Sequence, residues 1–262
     1  MKKIACAALM AVVMVSMCLP AFAKAKKKTG KFILGLDASF PPMGYTEANG
    51  DIVGYDIDLA KEVCKRLGLT FVAKPIDWSA KEMELSSGSI DCIWNGFTMT
   101  EERVNSMSFS KAYLNNDQVL VVRADSGIKS LADVAGKVIG LQAGSSAEDA
   151  LNDNAAFASS LKKVVKYEEN LTALTDLEVG GVDAVVMDSV VANYTISAGK
   201  KPLVVVNESL AKEAYGIGFR KDAKGAKLRD DVQKTLEAMA ADGTVAAIST
   251  KWFGSDISVI GK

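Results

Sequence analysis

Three short stretches of the chain carry residue types suited to holding a small molecule with two opposite charges. The first is Asn95-Gly96-Phe97-Thr98-Met99-Thr100-Glu101-Glu102-Arg103. It combines a glycine that allows close backbone approach, a hydroxyl at Thr98 and an arginine whose planar fork matches a carboxylate. The same run also reads as an ordinary helix start, with Thr100 as the cap and Arg103 paired to Glu101 or Glu102 in a solvated first turn. The second stretch is Ala143-Gly144-Ser145-Ser146, where a strand gives way to a helix whose free N–H groups favour an anion. It is too small for a nucleotide phosphate loop and lacks the lysine of one. A serine-capped turn is its plainer reading. The third is Asp188, placed either to cap the next helix or to accept from a cationic amine. A guanidinium, an amide-lined loop and a carboxylate would together match a zwitterion. Phe40 and Trp78 stand on turns outside any periodic apolar stripe, which suits the walls of a pocket.

Composition excludes several other chemistries. The chain has no histidine, so Ser-His-Asp and Cys-His nucleophiles and histidine-ligated zinc are ruled out. Lys and Arg number 31 against 32 Asp and Glu, a balance that argues against nucleic acid as a partner. No cofactor or metal is expected. At the N-terminus, Lys2 and Lys3 precede an apolar run from Ile4 to Leu19 and then Ala21-Phe22-Ala23. That pattern reads as a secretory signal peptide, residues 1–23, cleaved after Ala23, since the run is shorter than the ~20 residues of a spanning helix. Cys18 offers a lipid-anchored form, but Met17 is bulkier than the residue such a site wants before it, so export without an anchor is the expectation. The basic run from Lys24 to Lys31 reads as a solvated arm. Past the leader only Cys64 and Cys92 remain, and an oxidising compartment would allow them to pair or to persist as buried thiols.

The elements that must position these residues alternate. Phe32–Leu36 reads as a buried strand, and Asp56–Leu67 as a helix with Ile57, Ala60, Val63, Cys64 and Leu67 on one face, closed by Gly68. Leu69–Ala73 and Ile90–Trp94 are strands on either side of a short helix at Ser79–Leu85. The pattern then recurs, with strands at Gln118–Arg123, Lys137–Gln142, Lys163–Tyr167, Asp183–Met187 and Tyr215–Arg220. Leu171–Val179 is a helix, and Leu228, Val232, Leu236 and Met239 stripe a late one that stops before Gly243. Such alternation predicts an α/β protein with parallel sheets covered on both faces, and two series predict two lobes. Ligands of open sheets bind beyond the carboxyl ends of the strands. That rule singles out Asp37 to Phe40, Trp78, Asn95 to Arg103, Gln142 to Ser146, and Asp188.

At these positions the chain resembles a known family. Gly54-Tyr55-Asp56-Ile57-Asp58-Leu59-Ala60, Asp91 with Gly96 to Arg103, Leu131 to Gly144, Val182-Asp183-Ala184 with Asp188, Asp242-Gly243-Thr244 and Lys251-Trp252-Phe253-Gly254 occur in the order seen in polar amino-acid-binding proteins of ABC importers. This is solute-binding protein family 3, which includes the lysine/arginine/ornithine, histidine and glutamine binders, and the resemblance runs from about Phe32 to Gly254. It implies a two-lobed periplasmic-binding-protein fold of type II, two doubly wound sheets joined by two hinge strands. Lobe 1 would comprise residues 24–114 and 212–262 and lobe 2 residues 118–208, with hinges at about 114–118 and 208–215 and closure around the ligand. By the same resemblance Arg103 grips the α-carboxylate with the backbone at Thr98 and Ser146. Asp188 accepts the α-ammonium beside the Gly96 carbonyl, Phe40 and Trp78 sandwich the side chain, and Asp37, Asn95 and Gln142 reach its far end. Ser145 completes the expected ligand-binding set.

The implied partners are a free amino acid and the permease and ATPase of an ABC importer, and the implied state is a monomer in the periplasm. The sequence departs from relatives at Met43-Gly44-Tyr45, where a Phe-Glu pair is common, and at Gln142, which is Lys in a glutamine-type binder. Asp37 is the acid at a strand end with no assigned partner, so a donor-bearing side chain is favoured: arginine, lysine, ornithine or histidine, with glutamine following. Capping of the turn before Pro41 is its alternative role. An exported cyclohexadienyl dehydratase shares the fold and is the second reading. It would need a positioned acid, for which Asp37 and Glu84 are the candidates.

Overall fold

A computed structural model of the protein describes residues 30–262. The leader, its cleavage point, Cys18 and the basic run as far as Lys28 lie outside the described residues. The chain opens with β1 (Lys31–Leu36), whose Phe32, Leu34 and Leu36 are buried. Three short antiparallel strands follow, β2 (Ser39–Phe40), β3 (Gly44–Thr46) and β4 (Ile52–Val53). Helix α1 (Tyr55–Leu67) begins with Asp56 and Asp58 and ends with Lys65 and Arg66, charges that complement its dipole. Its buried face holds the predicted Ile57, Ala60, Val63 and Cys64. Gly68 ends it in the left-handed conformation, as expected from its place after the last apolar residue.

Strand β5 (Thr70–Pro75) and α2 (Lys81–Ser86) lead to β6 (Cys92–Thr98), α3 (Glu101–Ser106) and β7 (Ser108–Phe109). Then β8 (Leu114–Arg123) carries the chain into a second unit. That unit is β9 (Val138–Gln142), α4 (Ser146–Asp153), α5 (Ala155–Ser160), β10 (Lys163–Tyr167), α6 (Asn170–Glu178), β11 (Ala184–Asp188) and α7 (Ser189–Gly199). The long β12 (Leu203–Phe219) returns to the first unit, where α8 (Ala223–Ala241) and α9 (Thr244–Phe253) close the chain.

Within each unit the ladders are parallel, β1 with β5 and β6, and β9 with β10 and β11. Strands β8 and β12 join the two parallel series as connecting strands. They pair antiparallel with each other from Leu114↔Tyr215 to Leu203↔Arg123, and hydrogen bonding runs unbroken in the order β10-β9-β11-β8-β12-β6-β1-β5. The cause is topological, since one strand crosses between the units outward and the other crosses back. In the second unit side chains alternate between two clusters, Val185 and Met187 to one and Ala184 and Val186 to the other, with Val119, Val121 and Leu120, Val122 doing the same on β8. Both faces are therefore covered, as near-continuous apolar strands require. Cys64 and Cys92 are both buried in the core. Burial pushes the Cys92 thiol up, and the neighbouring Asp91 adds to it.

Candidate functional site

Strand ends and a cleft between the two units bring all eleven predicted positions around one cavity: Asp37, Phe40, Trp78, Asn95, Gly96, Thr98, Arg103, Gln142, Ser145, Ser146 and Asp188. The empty space among their atoms, counting what opens to solvent, is about 280 Å³, and the closely packed interior has room for about one water. Several of these residues sit differently from the sequence reading. Asn95, Gly96 and Thr98 belong to β6 itself, which continues four residues past Trp94, and Asp188 is the last residue of β11. The polar residues fooled the pattern because a strand buried over its whole length needs no alternation.

Gly96 lies at φ 56°, and a Cβ there would stand 2.9 Å from the Phe40 ring and 3.1 Å from that of Tyr215. Only glycine fits. Its N–H donates to Asp56 Oδ2 at 2.8 Å and to the Tyr113 hydroxyl at 3.1 Å, and Tyr113 donates in turn to the same carboxylate at 2.9 Å. Asp56 has no cation beside it, so burial raises it to about 7 against the pull of these bonds.

Thr100 does cap α3, its hydroxyl accepting from Arg103 N–H at 3.3 Å. The Arg103 side chain, however, does not pair with Glu101 or Glu102. It turns inward to 7% exposure and donates to the carbonyls of Thr98 at 3.2 Å and Gly144 at 3.3 Å, with its guanidinium 4.8 Å from the Phe97 ring centre. Its carboxylate partner is Asp149 at 3.4 Å, whose side chain is 43% exposed. A buried guanidinium with two neutral acceptors and one half-solvated acid retains capacity for an anion.

Asp188 precedes α7 but its side chain makes no cap bond. Instead Oδ1 accepts from the Tyr215 hydroxyl at 2.7 Å and from Asn116 Nδ2 at 2.8 Å. Burial, and then the nearby Glu213 carboxylate, raise Asp188 to about 7. The turn serines behave similarly: Ser145 Oγ donates to Gln142 O at 2.7 Å and Ser146 Oγ to Thr98 Oγ1 at 3.1 Å, so neither side chain caps α4.

Asp37 is not without partners. One oxygen takes Ser39 N–H at 2.8 Å and its hydroxyl at 2.7 Å, the turn-capping role, and the other takes Gln142 Nε2 at 2.8 Å across the cleft. Asn95 Oδ1 accepts the Asp37 N–H at 2.9 Å. Gln142 is further held by Glu168 O at 2.8 Å and Asn170 at 3.0 Å. Trp78 meets Phe97 edge-on at 5.7 Å, and Lys81, 3% exposed, sends Nζ across to Gly144 O at 2.9 Å. Burial pulls the Lys81 ammonium down, against Glu82. Glu84 lies away from the cavity, bonded to Lys74 at 2.7 Å.

Sequence reasoning missed Lys81, Asn116, Gln118, Glu213 and Tyr215. The signal for the last two was available, because Glu213 and Tyr215 are two apart on a strand and so share a face. Among the described residues no group of three or more His, Cys, Asp or Glu could hold a metal ion, and no helix is long and apolar enough to cross a membrane.

A type II periplasmic-binding-protein fold with a polar, aromatic-walled cleft is the class these features define. Residues 32–255 match the model of the bacterial extracellular solute-binding proteins, family 3, and the chain belongs to that family. It is 30% identical over 234 residues to the L-cystine-binding protein TcyJ of Escherichia coli (strain K12), covering 88% of this chain and 86% of that protein. To the ABC transporter arginine-binding protein 1 of the same organism it is 31% identical over 260 residues, 97% of this chain and 99% of the other. A solved ABC uptake transporter substrate-binding protein from Streptococcus pneumoniae with bound histidine superposes with a TM-score of 0.82 at 37% identity, covering 87% of this chain and 94% of that one. These relatives are binding proteins, not enzymes.

Proposed function

We propose that this chain captures a free amino acid in the cleft and delivers it to the permease and ATPase of an ABC importer. The observation that carries the reading is the lining of one cavity by a buried guanidinium, a buried carboxylate and two aromatic walls. Arg103 takes the α-carboxylate with backbone N–H groups at Thr98 and Ser146, and Asp188 takes the α-ammonium beside Gly96. The Asp37 carboxylate stands at the far wall, bonded to Ser39 and Gln142, and an acceptor there favours arginine, lysine, ornithine or histidine, with glutamine next and cystine added from the relatives.

In this reading residues 24–114 and 212–262 form lobe 1, 118–208 form lobe 2, and 114–118 with 208–215 are the hinges. The pairing of Lys212 with Asp117 and Tyr215 with Leu114 supports hinges that bend together. The protein acts as a monomer in the periplasm after cleavage behind Ala23. A dehydratase is disfavoured, because Glu84 is outside the cavity and both Asp37 oxygens are engaged.

Thermal shift against the common amino acids tests the reading, run beside incubation with prephenate and arogenate. A ligand at ~100 times its Kd adds about 2.7 kcal/mol, or about 5–10 °C for a chain of this size. No shift with any amino acid, or turnover of either acid, sinks the proposal.

A further inference from the structure

Glu213 projects from β12 directly opposite Asn116 of β8, and its Oε2 gathers four side chains from three elements. Thr98 Oγ1 lies at 2.9 Å, Asn116 Nδ2 at 3.0 Å, Gln118 Nε2 at 3.1 Å and Ser146 Oγ at 3.3 Å. The protons can be followed one by one. Asn116 has two amide hydrogens, one for Glu213 and one for Asp188 Oδ1. Gln118 likewise has two, for Glu213 and for Ser146 Oγ at 3.2 Å. Tyr215 commits its single hydroxyl proton to Asp188. Thr98 also has a single hydroxyl proton, and the Glu213 carboxylate takes it.

Thr98 lines the cavity and its oxygen already accepts from Ser146 Oγ at 3.1 Å, so what its hydroxyl has left to offer there is one lone pair. We propose that Glu213 is a positioning residue for ligand recognition: by holding the Thr98 proton, and sharing Asn116 with Asp188, it makes this end of the cleft an all-acceptor surface that selects a positively charged amine. A neutral amide at 213 would hold the Thr98 proton less strongly than a carboxylate does, so the hydroxyl would more readily turn its proton into the cleft, where it meets an ammonium with the wrong polarity. Glu213 itself is half-buried, and it acts through Thr98 and Asn116 rather than by touching the ligand.

The inference rests on the amino-acid-binding reading, and the test separates the two. Wild type and Glu213→Gln are titrated by calorimetry with two probe pairs: L-arginine against 5-guanidinopentanoate, and L-histidine against imidazolepropionate, the second of each pair lacking only the α-amine. The expected result is that Glu213→Gln weakens the amine-bearing probe by about tenfold, the scale of one charge-assisted hydrogen bond, and leaves the amine-free probe within about threefold. Equal losses for both members of a pair, or no loss, would mean Glu213 only supports the strand crossing and would overturn the inference while the binding reading stands. Failure of wild type to bind either amino acid, with no shift from any other, removes the reading and the inference together. Should Glu213→Gln not fold by circular dichroism, Glu213→Asp withdraws the same oxygen by one methylene with the charge kept. It is held to the same comparison.

Discussion

Removal of Arg103 puts the proposed function to its hardest test. The guanidinium is 7% exposed and donates to two carbonyls, with Asp149 as a half-exposed acidic neighbour. A ligand carboxylate arriving there would be desolvated, and without its partner it becomes half of a broken buried pair. Such losses run about 3–5 kcal/mol, or roughly two to three and a half powers of ten in Kd. Arg103→Ala should show that loss by calorimetry. The free protein should change far less, because the lost bonds to the Thr98 and Gly144 carbonyls are offset by no longer burying a charge. The Asp149 contact, screened by solvent, contributes ~0–1 kcal/mol. A change in Tm of no more than about 4 °C corresponds to roughly 1 kcal/mol in a chain this long. Arg103→Lys should recover little, because an ammonium cannot make the parallel pair of bonds. Affinity within about threefold of wild type in the Ala variant would show that Arg103 serves only to hold Thr98 and Gly144 together.

Asp188 makes binding depend on pH. An ammonium needs it ionised, yet burial and Glu213 hold it at about 7 in the free protein, so affinity should fall by up to about tenfold for each pH unit below that. The free protein should show the opposite slope. Asp56 and Asp188 are both raised to about 7 when folded, so the stability they contribute is fully present below about pH 4, their unfolded range, and is lost as pH rises toward 7. Melting with and without ligand between about pH 5 and 8 checks both signs. Gly96→Ala should cost ~1–3 kcal/mol of stability from the positive φ alone and should abolish ligand-induced stabilisation, since the new methyl meets Phe40 and Tyr215. Lys81→Met should leave the ligand pocket intact but raise the ligand dissociation rate several-fold in stopped flow, by removing the bond to Gly144 that ties the two units; an unchanged rate would refute a latch there.

How much of this was legible in the sequence depends on which physical signal each residue leaves. Helix α1 was readable because its apolar spacing, its terminal charges and Gly68 agree. The ends of β6 and β11 were misjudged, since Asn95, Thr98 and Asp188 are polar yet buried, and burial of polar groups is decided by partners distant in sequence. Asp188 depends on Asn116 and Tyr215, and Asp37 on Gln142, pairings that no local pattern encodes. The two connecting strands came from the family resemblance and not from local pattern, because strand direction follows from the whole path of the chain. Arg103 is the instructive case. Thr100 caps its helix as local rules predict, and the Arg103 side chain nonetheless leaves the solvated face for the cleft.

The bonds that span the cleft suggest why recognition and closure are one event. Gly144, on the turn before α4, receives both Lys81 and Arg103 from the first unit, while Gln142 at the end of β9 donates to Asp37. Ser146, two residues on, reaches Thr98. Every residue that would grip the α-carboxylate from one side is thus already bonded to the turn that would grip it from the other. Arg103 is shared between the Gly144 carbonyl, which is neutral, and whatever anion enters. The anion is the stronger acceptor, so a ligand carboxylate competes for the guanidinium without displacing Lys81. If the two units close on a ligand as proposed, no separate trigger is needed: the cation that would hold the ligand and the cation that holds the turn both reach the Gly144 carbonyl, and the first would stabilise the geometry in which the second forms its bond.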